Sequence, residues 1–176
     1  MKTLLSAHEL RTGVAAMADQ INRCQGGKPL TVIGVLTGSL VLLADLIRLL
    51  DMPSRVGVVQ ASSYRDGIAR GPLTINVESM PTIAERDVLL VDDIFDTGHT
   101  LKEVIGLMVN LQPASIRSCV LLRKVGCSQV DLEPDFVAYD IPDEFVVGYG
   151  LDYRDAYRNL PYLAALEPGE ITRDPA

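Results

Sequence analysis

The sequence predicts an α/β domain: a central, mostly parallel sheet flanked by helices. Three observations predict it. Strand-like and helix-like segments alternate over the first two thirds of the chain. Several of the strand-like segments are continuous β-branched or apolar runs, as expected of strands covered on both faces. Polar or small residues follow three of these segments directly: "TGS" (37–39), "DDIFDTGHT" (92–100) and Lys124. In open α/β sheets ligands sit beyond the carboxyl ends of the strands, so these three groups converge on one edge.

The elements follow in order. Leu10, Val14, Met17, Ala18 and Ile21 fall at helical spacing and predict a helix over 7–24, with Ser6 as its cap. "LTVIGVL" (30–36) reads as a buried strand, and "SLVLLADLIRLL" (39–50) as a helix apolar on most sides. "RVGVVQASS" (55–63) is a strand. "YRDGIARGPL" (64–73) is polar, carries two glycines and lacks periodicity, which predicts a mobile loop or hairpin tip. "DVLLVDD" (87–93) is a strand and "TLKEVIGLMVNL" (100–111) a helix. "SIRSCVLLRK" (115–124), "FVAYD" (136–140) and "FVVGYG" (145–150) are strands, and the polar tail 167–176 is expected to fray.

A chain of 176 residues is by default one domain, spanning 1–176, with a core that needs no staples. Its net charge of −7 argues against a nucleic-acid partner or an anionic membrane, since either wants a basic face. A small anionic ligand remains compatible, because local dipoles and a metal ion hold phosphate on an acidic protein. Cys24, Cys119 and Cys127 are odd in number and fit no zinc spacing, which points to idle thiols in a reducing compartment. The first residues lack the apolar run of a signal peptide. The run 39–50 is interrupted by Asp45 and Arg48 and is too short to span a bilayer. The expectation is a soluble, cytoplasmic protein.

The chemistry concentrates in "VLLVDDIFDTGHTL" (88–101). A turn of small residues entering a helix exposes backbone N–H groups at the positive end of the helix dipole, which makes a phosphate cradle. Gly98 allows close approach, and Thr97 and Thr100 add hydroxyl donors. The plainer reading is a helix cap with Asp96 or Thr97 as N-cap. Asp92 and Asp93 would repel a shared phosphate but suit a vicinal diol, whose hydroxyls donate to carboxylates. Phosphate and diol together describe a ribose 5-phosphate. No G-x-x-x-x-G-K-[ST] occurs, and "GYGLDY" lacks the third glycine of a dinucleotide loop. With His8 and His99 the only histidines, a histidine-rich metal site and a Ser-His-Asp triad are both disfavoured.

These residues carry a resemblance. "VLLVDDIFDTGHTL" resembles the phosphoribosyl-pyrophosphate loop of the type I phosphoribosyltransferases. "VLTGSLVLLADLIR" is similar to the pyrophosphate loop and helix of their hypoxanthine-guanine branch, "SSYRDG" to the start of its flexible loop, and "PDEFVVGYGLDYRDAYRNLPYL" to its purine-binding hood. The match keeps the same order from about residue 30 to 166. The resemblance implies the type I fold, with a core over about 28–125 and a small hood formed by the N-terminal segment and about 126–166. It implies transfer of a phosphoribosyl group to N9 of hypoxanthine or guanine, giving IMP or GMP plus pyrophosphate, through a transition state resembling an oxocarbenium ion. It also implies Mg²⁺ and a homodimer or homotetramer.

The resemblance assigns roles residue by residue. Asp92 and Asp93 hold the ribose hydroxyls, and Asp96, Thr97, Gly98, His99 and Thr100 form the 5-phosphate turn. Asp96 is also the catalytic group that shares the purine N7 proton. Thr37, Gly38, Ser39 and Arg158 bind pyrophosphate. Lys124 donates to the 6-oxo group, Phe145 stacks on the purine, and Val146 pairs with it through its backbone. Asp152 lies at the purine site and holds magnesium, with Asp92 and Asp93 near a ribose-bound ion. Ser63 and Tyr64 open the flexible loop. An ammonium has donors only, so Lys124 favours a carbonyl over the amino group of adenine. Arg123 is the competing cation, and in a strand the two point to opposite faces.

Three positions depart from the family pattern. Thr37 stands where relatives often carry Lys or Arg, Asp92 where Glu is common, and His99 where Lys or Leu is common, leaving it a packing role. Two other readings fit the same fold: a xanthine-preferring transferase, and a regulator that binds the sugar pyrophosphate as a signal. The regulator would need a basic face for nucleic acid, which this acidic chain does not suggest.

Overall fold

The computed structural model describes residues 1–63 and 73–171. Six strands form the main sheet: β2 (Leu30–Leu36), β3 (Ser54–Ser63), β4 (Leu73–Asn76), β5 (Asp87–Phe95), β6 (Ser115–Lys124) and β7 (Phe136–Ile141). Their order is β4-β3-β2-β5-β6-β7, parallel except for the antiparallel β3–β4 pair at one edge. This is the mixed, mostly parallel sheet that the sequence predicts. A smaller antiparallel sheet joins the two ends of the chain, in the order β1 (Lys2–Leu5), β9 (Leu163–Ala165), β8 (Val146–Val147).

Helix α1 (Ala7–Gln25) begins at Ser6 in a complete capping box with Glu9, so two of the orphan amide donors of the first turn are satisfied. It stops at Gly26, which takes the left-handed conformation typical of a helix end. The predicted helix over 39–50 is shorter: α2 (Leu40–Leu46) passes into a 3₁₀ turn at Ile47–Leu49. Helix α3 (His99–Val109) follows β5, and α4 (Pro168–Ile171) lies in the segment expected to fray. The predicted strand over 145–150 shrinks to β8, because Gly148, Tyr149 and Gly150 all take positive φ and leave the strand conformation. The segment 64–72 read as a mobile loop lies outside the described residues, and Leu73 opens β4.

Alternate strand residues feed two cores. Leu89 and Val91 of β5 pack with α1 and α2, whereas Val88 and Leu90 pack with Leu101, Val104 and Met108 of α3. Among the described residues no helix is long and apolar enough to cross a membrane.

The sheet order places the site. From β2 the chain runs outward through β3 to β4, then returns to β5 on the other side of β2 and runs outward through β6 to β7. The order therefore reverses between β2 and β5, the position at which open α/β sheets bind ligands. The two strands pair from Thr31–Val88 to Gly34–Val91 and then separate, while β5 stays paired with β6 as far as Phe95–Arg123.

Candidate active site

Where β2 and β5 separate, their carboxyl ends enclose a cavity of about 350 Å³. Thr37 and Gly38 line it from the β2 side, Asp92, Asp93, Asp96, Thr97, Gly98 and Thr100 from the β5 side, and Asp152 and Arg158 from the C-terminal segment. A neighbouring cavity of about 200 Å³ is lined by Lys124, Phe145, Val146 and Leu151. The two share Asp93, Ile94, Asp96 and Asp152 as a common wall. Most of the residues singled out in the sequence thus meet, although they come from five separate segments.

Asp92 and Asp93 are adjacent near the end of β5, and both line the larger cavity. Asp92 is buried, and its carboxylate accepts the Asp93 amide at 3.0 Å. Burial, with the nearby Asp93 charge, pushes the Asp92 carboxyl well above the usual carboxylate range. Burial raises Asp93 too, against the opposing pull of Ile94 N–H and the Arg158 charge. Asp93 also packs on the backbone of Gly38, so closely that a Cβ there would overlap its carboxylate. This explains the glycine at 38 independently of any ligand.

The turn after β5 differs from the cap read from the sequence. Neither Asp96 nor Thr97 caps α3; the N-cap is Gly98, with φ 83° and no side-chain cap hydrogen bond. A Cβ at Gly98 would crowd Val130 and come within 2.8 Å of Phe95 Cζ. The first amides of α3 therefore carry no side-chain acceptor from the N-cap, as an anion site at a helix start requires.

Two assigned side chains do not line the cavity. Ser39 is fully buried and its hydroxyl donates to Val35 O at 2.5 Å, because the start of α2 packs back on β2. His99 is exposed and its Nε2 lies 3.3 Å from Gln129 Oε1, away from the lining. Ser63 ends β3, and Tyr64 lies outside the described residues. The peptide between Leu36 and Thr37 is cis.

Lys124 and Arg123 separate clearly. Arg123 is held by Asp140 at 2.7 Å and Glu133 at 3.0 Å. Lys124 lines the smaller cavity, with its Nζ 2.9 Å from Asp143 and 3.4 Å from Asp96. Burial lowers its pKa, but the Asp143 hydrogen bond and the charges of Asp96 and Asp143 outweigh this, so the net shift is upward and the ammonium form is favoured. Phe145 lies 38% exposed at the cavity, its ring met edge-on by Tyr153 at 5.5 Å and 84°. Arg158 donates to Gly150 O at 2.9 Å and pairs with Asp152 at 2.8 Å. Tyr153 and Asp143 were missed in the sequence. Tyr153 lies one residue beyond Asp152, whereas nothing in "IPDEF" separates Asp143 from a surface acid.

Residues 1–154 match the model of the phosphoribosyl transferase domain. The chain belongs to the phosphoribosyltransferase family, in its hypoxanthine-guanine branch. The hypoxanthine-guanine phosphoribosyltransferase of Staphylococcus aureus strain Mu50 is 37% identical over 168 residues, 95% of this chain and 94% of that protein. The one from Streptococcus pneumoniae strain R6 is 36% identical over 167 residues, 94% of this chain and 93% of that protein. A crystal structure of the Bacillus anthracis hypoxanthine-guanine phosphoribosyltransferase superposes with a TM-score of 0.89 at 36% identity, covering 95% of this chain and 99% of that one. In this phosphoribosyltransferase the larger cavity is lined from residues 35–38 and 92–101, and the smaller includes Lys124, Phe145 and Val146.

Proposed function

We propose that this protein is a purine-salvage enzyme that transfers the 5-phosphoribosyl group of phosphoribosyl pyrophosphate to N9 of hypoxanthine or guanine. The products are IMP or GMP and pyrophosphate. The observation that carries the reading is the wall of Asp93, Ile94, Asp96 and Asp152 between a polar cavity and one floored by Phe145 and Val146. A sugar phosphate on one side and a purine on the other would meet across that wall.

The chain's own groups suit each part. Asp92 and Asp93 accept from the ribose hydroxyls, and the amides and hydroxyls from Thr97 to Thr100 hold the 5-phosphate. Thr37, the Gly38 backbone and Arg158 face the pyrophosphate, and a guanidinium fork matches its oxygens. Lys124 donates to the purine 6-oxo group, Phe145 stacks on its face, and the Val146 backbone meets its edge. Asp96 takes a share of the N7 proton as N9 approaches the anomeric carbon and the bond to pyrophosphate breaks.

Magnesium fits the donor set, because the carboxylates of Asp152, Asp92 and Asp93 are hard oxygen ligands. Burial raises both Asp92 and Asp93 carboxyls, and the charge of a cation would offset it. Asp152 would hold an ion near the pyrophosphate, and Asp92 and Asp93 would face one at the ribose; its charge would ease departure of the leaving group. The free thiols of Cys24, Cys119 and Cys127 support a cytoplasmic setting. Exposed Leu40 and Leu49, on and just after α2, support a homodimer or homotetramer, which sedimentation would test.

The deciding experiment is a base panel. The protein is mixed with magnesium, phosphoribosyl pyrophosphate and, in turn, hypoxanthine, guanine, xanthine or adenine, and nucleotide formation is followed by absorbance. Turnover with hypoxanthine and guanine but not adenine supports the proposal. Preference for xanthine moves the protein to that specificity, and tight sugar-pyrophosphate binding without turnover moves it to a regulator.

A further inference from the structure

We infer that Asp143 is a positioning residue for base recognition: it competes with Asp96 for the Lys124 ammonium and keeps their ion pair long, so that each can turn to its own atom of the purine. The inference rests on the proposed roles of Lys124 and Asp96. The Lys124 side chain is only 11% exposed, and two carboxylates compete for its Nζ. Asp143 Oδ1 is the nearer at 2.9 Å and makes the hydrogen bond; Asp96 Oδ2 keeps the longer ion pair at 3.4 Å. Asp143 comes from the turn between β7 and β8, two residues before Phe145, so the segment that presents the stacking ring also steers the lysine.

The other groups nearby do not perform this role. Cys127 lies in the same cluster, its sulfur within 4.8 Å of carboxylate oxygens of Asp96 and Asp143. Burial and then those two charges keep its thiol protonated. Arg123 is paired on Asp140 and Glu133. Coulomb attraction grows as separation falls, so without Asp143 the nearest anion to Nζ is Asp96. The ammonium would then close on Asp96, occupying the 6-oxo donor and the N7 acceptor together. An ammonium has three donors, and a hydrogen bond to Asp143 leaves the others for the purine carbonyl.

The test is a mutant cycle read with hypoxanthine at saturating phosphoribosyl pyrophosphate. Asp143→Asn should raise the KM for hypoxanthine roughly fivefold, the scale of one partly exposed charge pair, and leave the KM for phosphoribosyl pyrophosphate unchanged. Asp143→Glu should restore most of the loss. In a Lys124→Ala background Asp143→Asn should add nothing, because a residue acting through Lys124 has no route left. Losses that multiply in the double variant, or a hypoxanthine KM that stays level or falls in Asp143→Asn, would overturn the inference. If Lys124→Ala itself leaves the hypoxanthine KM unchanged, the failure lies instead in the proposed base contact.

Discussion

At the scale of residues, the site depends on groups whose neighbours decide what they can do. Asp96 faces both cavities and has Lys124 3.4 Å away. Replacing it by Asn keeps the shape and removes the proton acceptor, so kcat should fall by about 10²–10⁴, while calorimetry should find phosphoribosyl-pyrophosphate affinity little changed. Equal losses in both would remove the general-base role. Gly38 has a different constraint, because its backbone lies against the Asp93 carboxylate. We expect Gly38→Ala to displace that carboxylate and raise the KM for phosphoribosyl pyrophosphate at least tenfold, about 1.4 kcal/mol, measurable by the absorbance of the nucleotide formed. Residue types at strand ends made Asp92, Asp93, Asp96 and Lys124 legible in the sequence. The side chains of Ser39 and His99 turn away from the cavity, which sequence spacing could not show, since it carries no information on which way a side chain turns at the start of a helix. Asp143 was invisible because its partner lies 19 positions earlier in the chain.

At the scale of elements, β5 explains both the site and its cost. It outruns its pairing with β2 after Val91, and its next two residues are carboxylates. Their folded-state pKa values are raised, so the folded protein binds protons more readily than the unfolded chain. Stability therefore falls as pH rises from the ordinary carboxylate range through the raised values. Asp92→Asn removes part of that loss. At pH 7 we expect its melting temperature to rise, by about 2–4 °C for each kcal/mol recovered, while turnover drops. A melting temperature equal to or below that of the parent would show that the pair is compensated in the folded state. Apart from β4, which was not read, the strands of the main sheet were legible as long apolar runs and its flanking helices by their spacing. The segment after β8 was not. Tyr149, Arg154, Asp155 and Tyr157 all take positive φ, a conformation that residue type alone would not suggest at a tyrosine or an arginine.

At the scale of the molecule, two sheets are joined around one site. β1, β9 and β8 were missed or misjudged in extent because strands of two to four residues have no period to read. One link between the parts is Tyr149, whose hydroxyl donates to Asp45 of α2 at 2.6 Å. Burial and Asp45 push its pKa upward, so the phenol stays protonated and the link holds across the working pH range. Tyr149→Phe should cost about 1 kcal/mol, seen as a lower midpoint in urea with an unchanged slope. A changed slope would mean that the loss alters how cooperatively the two sheets unfold.

The wall shared by the two cavities also bears on inhibition. Asp93, Ile94, Asp96 and Asp152 touch both compartments, so only a short connection separates them. A single molecule carrying a purine-like ring and a phosphorylated chain could therefore occupy both at once. Its second half would bind at the high local concentration set by a short tether, so two weak fragments would combine into one tight bisubstrate ligand.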